Sequence, residues 1–128
     1  MSLRSEMASF FDGFVAAFGS FDGDRIAGRY QPPYLALHVD GSRQVFADQA
    51  EVGRYFQRVV DDYHGKGCRS CRYGDLDAFA IGSRSALATV TWDLLREDGS
   101  VIGSWRESYG LTRTDGGWRI FSSVDHAA

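Results

Sequence analysis

Hydrophobic residues near the start of the chain repeat with the period of an α-helix. The apolar positions that share this stripe are Met7, Phe10, Phe11, Phe14, Val15 and Phe18. Residues three and four apart lie on one face of a helix, so the spacing predicts an amphipathic helix that ends at Gly19. The cluster Asp22-Gly23-Asp24 can cap a short second helix from Asp24 to Tyr30, and Pro32-Pro33 stops that helix.

A second strong helical pattern begins at Asp48. The Asp48 side chain can cap backbone N–H groups while Glu51 reaches back, which is the arrangement of a capping box. The continuous apolar face that follows is formed by Val52, Tyr55, Phe56, Val59, Val60 and Tyr63. This pattern predicts a helix that ends at Gly65. Between the helical regions, residues 34–39 are predicted to form a strand that is followed by a turn at Asp40-Gly41.

The sequence after Gly67 has the residue types and the turns of β-strands. Segments rich in strand-forming residues cover positions 68–81, 85–96, 101–114 and 118–126. Residues 97–100 and 115–117 are typical hairpin turns. The order is therefore two helices, a strand, a helix and three or four long antiparallel strands. This order predicts an α+β fold with three helices packed on the concave face of a curved antiparallel sheet.

The Asp98-Gly99 turn determines which strand residues share a face. With these two residues as the loop, the pairs on one face are Trp92–Trp105, Val90–Glu107, Ala88–Tyr109 and Ala86–Leu111. The pairs on the other face are Asp93–Ser104, Thr91–Arg106 and Thr89–Ser108. Directly opposed residues point the same way, so we predict that the first, apolar face is the core side. Glu107 is the exceptional residue on that face.

The last hairpin extends the core face toward the end of the chain. With either Asp115-Gly116 or Gly116-Gly117 as the loop, the residues that join this face are Trp118, Ile120, Ser122, Val124 and His126. A register shift of two changes the partners and leaves every side chain on its face. Glu107 is then opposite or diagonal to His126, whereas Asp125 and Arg106 fall on the outer face.

The hairpin near Gly82 leaves the orientation of Asp77 open. A two-residue loop turns Asp77 and Phe79 toward the core. A three-residue loop turns Ala78 and Ala80 inward and Asp77 outward.

The composition and the net charge indicate which kinds of partner the chain is not expected to bind. The chain has 128 residues, which fits one domain over 1–128, and it has a net charge of −3 with one lysine, Lys66. Without a basic patch or an apolar run of ~20 residues, nucleic acid and membranes are not expected partners. The N-terminus lacks the form of a signal peptide, so we expect a cytoplasmic protein with reduced thiols.

A metal site is not expected. Cys68 and Cys71, with His64 nearby, offer three ligands, whereas a structural zinc site uses four. We therefore expect no metal and no other cofactor.

The chain resembles the NTF2-like superfamily, in particular its SnoaL-like branch. The resemblance rests on the phenylalanine-rich first helix, the segment Gly23-Asp-Arg-Ile-Ala-Gly-Arg-Tyr30, the capped helix 48–65 and the closing run from Trp105 to Ile120. It implies a cone-shaped, cystatin-like sheet around a pocket and a homodimer formed through the outer sheet face. The superfamily includes isomerases, dehydratases, cyclases and non-catalytic binders, so the fold alone does not define the function.

No catalytic set carries over from the known enzymes of this superfamily. Ketosteroid-isomerase-like members use a tyrosine on the first helix, where this chain has only phenylalanines. They place an aspartate near the first strand, where this chain has His38 or Asp40.

The candidate site is the group of polar side chains on the apolar face. We expect Glu107 or Asp77 to act as a base, Tyr109 to stabilise a substrate oxygen, and His126 to assist. A carboxylate that faces an apolar pocket has a raised pKa, which suits proton transfer near neutral pH. The expected ligand-binding residues are Phe14, Phe18, Tyr30, His38, Trp92, Trp105 and Ser122.

These residues lead to two functional hypotheses. The first is a cofactor-independent enzyme that performs isomerisation, cyclisation or dehydration on a small apolar or aromatic compound containing a carbonyl group. The alternative is a non-catalytic ligand-binding or dimerisation module of the same fold.

Overall fold

The computed structural model describes residues 2–127, and within them the chain forms three helices and six strands. The helices are α1 (Leu3–Gly19), α2 (Gly23–Ala27) and α3 (Gln49–Gly65). The strands are β1 (Tyr30–Leu37), β2 (Arg43–Phe46), β3 (Ser70–Ile81), β4 (Ser85–Leu95), β5 (Val101–Thr114) and β6 (Gly117–Asp125). The predicted α+β class and the three helices are confirmed, and β2 is a short strand that the sequence pattern did not indicate.

The start of α3 lies where the capping pattern placed it. The Asp48 carboxylate accepts a hydrogen bond from the backbone N–H of Glu51 at 2.9 Å. The Glu51 side chain reaches back one residue further than predicted and accepts from the backbone N–H of Ala47 at 2.6 Å. Both contacts satisfy N–H groups near the first turn, where the helix has no partner of its own.

The second helix is shorter than predicted, because Tyr30 already belongs to β1. This strand also contains Pro32 and Pro33. Proline cannot donate to a sheet ladder, and the pairing of β1 with β6 shifts register between Tyr30 and Leu35, across the two prolines. The prolines thus lie where the ladder is already interrupted.

The six strands form one mixed sheet in the order β2-β1-β6-β5-β4-β3. The β1 and β6 strands run parallel, whereas the other neighbouring strands are antiparallel. The predicted antiparallel sheet therefore contains one parallel pair of strands. Since β1 and β6 lie far apart in sequence, no hairpin turn constrains their relative direction.

The helices pack on the face of the sheet that the first hairpin predicted to be the core side. The ring of Phe11 lies 5.5 Å from that of Tyr109, and the ring of Phe14 lies 5.3 Å from that of Trp92. Ala86, Ala88, Val90 and Leu111 are fully buried on this same face. In the described part of the chain, no helix is long and apolar enough to cross a membrane.

The registers of two hairpins show which of the predicted strand pairings are present. All seven β4–β5 pairs that the Asp98-Gly99 turn predicted are present. In the β3–β4 hairpin, Ile81 pairs with Ser85, which corresponds to a three-residue loop. Asp77 therefore points outward, where its carboxylate bonds to the Arg106 guanidinium at 2.9 Å. The proposed catalytic position of Asp77 on the core face is wrong.

A β-bulge in the last hairpin changes the faces of the final residues. Leu111 pairs with Ile120 and Gly110 pairs with Ser122, so Phe121 is an extra residue on β6. One inserted residue moves every later side chain to the opposite face. Ser123 and Asp125 consequently face the core side.

The predicted inward positions of Ser122, Val124 and His126 are wrong for the same reason. The predicted outward position of Asp125 is also wrong. The His126 imidazole lies on the outer face, where its Nε2 is 2.8 Å from Ser108 Oγ.

Candidate functional site

A partly open cavity of about 110 Å³ lies between the core face of the sheet and helices α1 and α3. Most of its wall is aromatic. The rings that line it belong to Phe14, Phe18, Tyr30, Tyr34, Tyr55, Phe56, Tyr63, Trp92, Trp105 and Tyr109. The polar groups on the wall include Glu107, Ser123, Asp125 and His38. An apolar cavity with a few convergent polar groups has the character of a small-molecule site.

Glu107 projects from the middle of β5 into this cavity. The Trp105 indole lies on the same face two residues earlier, and its N–H donates to the Glu107 carboxyl at 2.8 Å. The Tyr109 phenol, two residues later, lies near the same carboxyl group and lowers the pKa of Glu107. The alternation of the strand thus places a donor on each side of the carboxyl group.

Tyr109 is oriented by Trp92 on the neighbouring strand. The Trp92 indole N–H donates to the Tyr109 oxygen at 2.7 Å. Because this oxygen already accepts a hydrogen bond, the phenol proton is free to point at Glu107. Both side chains are buried, at 3% exposure for Trp92 and 2% for Tyr109. Burial and the neighbouring Glu107 charge raise the pKa of Tyr109 well above its usual value, so the phenol stays protonated.

Asp125 lies directly opposite Glu107 on β6. Its carboxylate is 3.8 Å from Nδ1 of His38, which lies just after β1. The other ring nitrogen of His38 is 2.8 Å from the Gln44 side-chain oxygen. Asp125 and His38 each keep 28% of their side-chain surface exposed, so they lie at the wetter part of the wall.

The surroundings of Glu107 raise its pKa to about 8. Burial is the main cause, and the charge of Asp125 is the second. The hydrogen bond from Trp105 and the nearby Tyr109 phenol act in the opposite direction and do not outweigh them. Burial and a neighbouring negative charge both disfavour the ionised form of a carboxyl group. At neutral pH Glu107 therefore holds its proton.

A second polar pair lies on the same wall. The Tyr34 hydroxyl and the Ser123 hydroxyl are 2.6 Å apart, and both residues are buried. Their mutual hydrogen bond satisfies both groups. Ser123 reaches this position because of the β6 bulge, which places it inward instead of Ser122.

The structure brings together most of the residues that the sequence nominated. Those that line the cavity are Phe14, Phe18, Tyr30, His38, Trp92, Trp105, Glu107 and Tyr109. Ser122, Asp77 and His126 lie on the outer face of the sheet instead. Asp125 is the important residue that sequence reasoning missed. Its signal was Gly110, because a glycine inside a strand often marks a bulge.

The cysteine pair shows no arrangement typical of a metal site. Cys68 and Cys71 are free thiols. Across residues 2–127, no three or more His, Cys, Asp or Glu side chains are grouped so that they can hold a metal ion. Cys71 lines the cavity, and burial raises the pKa of its thiol to about 12. Such a thiol is a poor nucleophile, since the thiolate is the reactive form.

The geometry joins a proton donor and a proton acceptor at one wall of an aromatic cavity. The Glu107 acid can donate to a ligand oxygen, and the Asp125 carboxylate beside it can accept a proton. A proton donor beside a proton acceptor is the usual arrangement for acid–base catalysis.

The NTF2-like protein (DUF6841) family model matches residues 5–128 of the chain. No curated protein sequence matches this chain. Several solved structures share the fold. The protein Aln2 from a Streptomyces species has a TM-score of 0.78 at 12% identity, covering 98% of this chain and 90% of that one.

Two further structures are similar over most of their length. An NTF2-like protein with a cystatin-like fold from Novosphingobium aromaticivorans has a TM-score of 0.75 at 14% identity, covering 95% of this chain and 79% of that one. A putative calcium/calmodulin-dependent protein kinase II association domain from Xanthomonas campestris has a TM-score of 0.74 at 20% identity, covering 100% and 89%. At these identities the likeness shows the fold alone.

Proposed function

This chain belongs to the NTF2-like protein family DUF6841, and we propose that it binds a small carbonyl compound and catalyses proton transfer next to the carbonyl group. The observation that carries this proposal is that Glu107 and Asp125 lie opposite each other at the wall of an aromatic cavity, where the pKa of Glu107 is raised to about 8. An acid and a base side by side are what enolisation requires. Isomerisation, cyclisation and dehydration can all proceed through an enol.

The roles follow from the positions of the two carboxyl groups. The Glu107 acid transfers its proton to the carbonyl oxygen, and Asp125 removes a proton from the adjacent carbon. The pair thus carries one proton before and after the step, and the enol is neutral. Tyr109 and Trp105 hold the Glu107 carboxyl in place, which keeps the donor oriented. His38 supports Asp125 from the open side of the cavity.

The size of the cavity limits the ligand. An engineered protein cavity of roughly 150 Å³ holds one benzene molecule, and this cavity measures about 110 Å³. The expected substrate is therefore a small ketone, aldehyde or ester, or the reactive end of a longer molecule. The proposed chemistry requires no cofactor. Both cysteines are free thiols, which suits the cytoplasm.

Exchange of carbon-bound protons for deuterium tests this function without knowledge of the natural substrate. A panel of small ketones, from butanone to acetophenone, is incubated with the protein in D₂O and followed by ¹H NMR. Active protein should accelerate exchange next to the carbonyl, and Glu107→Gln or Asp125→Asn should abolish the acceleration. Asp77→Asn is the matched control, because this carboxylate lies on the outer face. Equal exchange by all four proteins would refute the assigned roles.

The outer face of the sheet favours a second candidate function. The partly exposed apolar side chains on the strands there include Leu35, Phe79, Leu87, Phe121 and Val124. Contiguous apolar surface of this kind is typical of protein–protein contacts. On this alternative, the chain is a dimerisation module in which a second copy covers that face.

Sedimentation velocity distinguishes this candidate. A dimer that Leu87→Glu dissociates would support the outer-face interface. A monomer at micromolar concentration would refute it, whatever the result of the exchange assay.

A further inference from the structure

The wall of the cavity bears negative charge without a basic side chain to balance it. The two carboxyl groups of Glu107 and Asp125 line the cavity, whereas none of the chain's 14 lysine and arginine residues, all of which lie within the described range, does. His38 is the one nitrogen base among the described lining residues, at 3.8 Å from Asp125. Since carboxylates at low dielectric are costly unless paired, this wall favours a cation.

The aromatic rings provide a second attraction for a cation. The face of an aromatic ring carries partial negative charge, and rings that surround an ammonium group bind it through this charge. The protein's own cation–π contacts lie elsewhere, with Arg29 over Phe10 at 4.5 Å and Arg113 over Trp118 at 4.3 Å. Neither of these rings lines the cavity. Within residues 2–127, the ten rings of the wall are therefore not engaged by an arginine or lysine.

A tyrosine hydroxyl without a partner also points to a ligand. Tyr30 lines the cavity and is 3% exposed. Its phenol makes no hydrogen bond to any residue of the described chain, although the Tyr34 hydroxyl beside it bonds to Ser123. The Tyr30 oxygen is not one of the fully buried unpaired atoms of the described chain, so it is accessible from the cavity. A ligand that donates or accepts a hydrogen bond would satisfy this one.

We propose that this cavity binds small organic ammonium ions, held by the aromatic rings and by the carboxylates of Glu107 and Asp125. The cavity of about 110 Å³ suits an ammonium group of roughly four or five non-hydrogen atoms, because a cavity of roughly 150 Å³ holds the six carbon atoms of benzene. Tetramethylammonium is of this size, and choline carries the same trimethylammonium group. This inference concerns binding and goes beyond the proposed function, because it requires no catalysis.

Protonation of Glu107 gives this binding a defined pH dependence. The titratable groups that face Glu107 from the surrounding elements are Asp125, His38, Tyr30, Tyr34, Tyr55, Tyr63, Cys71 and Tyr109. A cation prefers the ionised form of Glu107, so its binding releases the proton that the empty site holds. With the pKa of Glu107 at about 8, affinity should rise about tenfold between pH 7 and pH 9.

The test compares choline with its neutral isostere, 3,3-dimethylbutan-1-ol, by isothermal titration calorimetry at both pH values. We expect choline to bind at least about tenfold more tightly than the isostere at pH 9. Its affinity should rise with pH, whereas that of the isostere should not. Equal binding of the two compounds at both pH values, or no choline binding, would overturn the inference.

Two variants distinguish choline binding in the cavity from choline binding to negative charge on the protein surface. Glu107→Gln should remove the pH-dependent gain in choline affinity. Glu97→Gln, which makes the same change at an exposed turn, should retain it. If the two variants behave alike, the cation does not bind at Glu107.

The deuterium-exchange assay shows whether the proposed function or the proposed cation binding fails. Choline binding without ketone exchange would support the inference and leave the catalytic proposal refuted. Ketone exchange that choline fails to inhibit at pH 9 would refute the inference alone.

Discussion

Glu107 on β5 and Asp125 on β6 lie directly opposite each other in the antiparallel ladder, and both carboxyl groups line the aromatic cavity. Opposed residues on one face have their Cβ atoms roughly 5 Å apart, so the two acids interact strongly. Burial, together with the charge of Asp125, keeps a proton on Glu107 at neutral pH. A site with one acid and one carboxylate is thereby built from an ordinary strand pair.

The first prediction concerns stability as a function of pH. The folded-state pKa of Glu107 is raised to about 8, whereas in the unfolded chain it is about 4.3. Between these values the folded state binds more protons, so the free energy of unfolding falls as pH rises. Glu107→Gln removes the buried charge and should be more stable than the wild type at pH 9, by on the order of 5 kcal/mol.

Urea unfolding at pH 5, 7 and 9 checks this result. The advantage of the variant should grow with pH and be small at pH 5. An advantage that does not change with pH would show that Glu107 titrates normally.

The second prediction concerns Tyr109, which accepts a hydrogen bond from Trp92 and lies near Glu107. Tyr109→Phe leaves the buried Trp92 N–H without its acceptor, which should cost about 1–3 kcal/mol of unfolding free energy. It also removes a phenol hydroxyl that lowers the pKa of Glu107, so this pKa should rise further.

Tyr30→Phe is the matched control for this prediction. It deletes a phenol hydroxyl that bonds to no described residue, so thermal denaturation should show a change within about 0.5 kcal/mol. A larger loss in Tyr30→Phe than in Tyr109→Phe would contradict the assigned bonding.

The third prediction concerns the bulge that turns Asp125 inward. A Cβ at Gly110 would lie 2.5 Å from the Ser122 hydroxyl and 2.8 Å from the Phe121 ring. Gly110→Ala should therefore destabilise the protein by about 1–3 kcal/mol. Gly74→Ala has open space around the added methyl group and should be close to neutral. Equal losses for the two variants in chemical denaturation would argue against close packing at the bulge.

The fourth prediction concerns the aromatic wall. Phe14 is 2% exposed and packs against Phe18 at a ring distance of 5.0 Å. Phe14→Ala should cost about 3–5 kcal/mol and enlarge the cavity. Phe79→Ala, at an outer-face ring that is 66% exposed, should change stability by less than about 0.5 kcal/mol.

Binding of a size series of ketones completes this test. Phe14→Ala should accept larger ketones than the wild type does. An unchanged size limit would show that Phe14 does not bound the ligand.

The fold and one wall of the site could be predicted from local patterns. The Asp98-Gly99 turn determined the β4–β5 pairing, and the alternation of Trp105, Glu107 and Tyr109 then placed all three on the core face. Helical periodicity and the Asp48 cap located the helices that cover this face. These features depend on neighbours in sequence, which is why pattern reasoning found them.

The part of the site that β6 contributes could not be predicted from local patterns, because it depends on one inserted residue. The hairpin turn before Trp118 predicted the correct faces as far as Ile120, and the bulge at Phe121 then reversed them. This reversal exchanged His126 for Asp125 at the site, and it changed the expected partner of Glu107 from an imidazole to a second carboxyl group. The second carboxyl group adds to the effect of burial in raising the pKa of Glu107.

The central claim is that Glu107 is protonated at neutral pH, and an NMR titration tests it most directly. The chain has four glutamates, so selective ¹³C labelling of glutamate side-chain carboxyl groups gives a simple spectrum, which Glu107→Gln assigns. We predict that the Glu107 resonance titrates near pH 8. If it titrates below about pH 5 instead, Glu107 is ionised at neutral pH and the proposed acid does not exist.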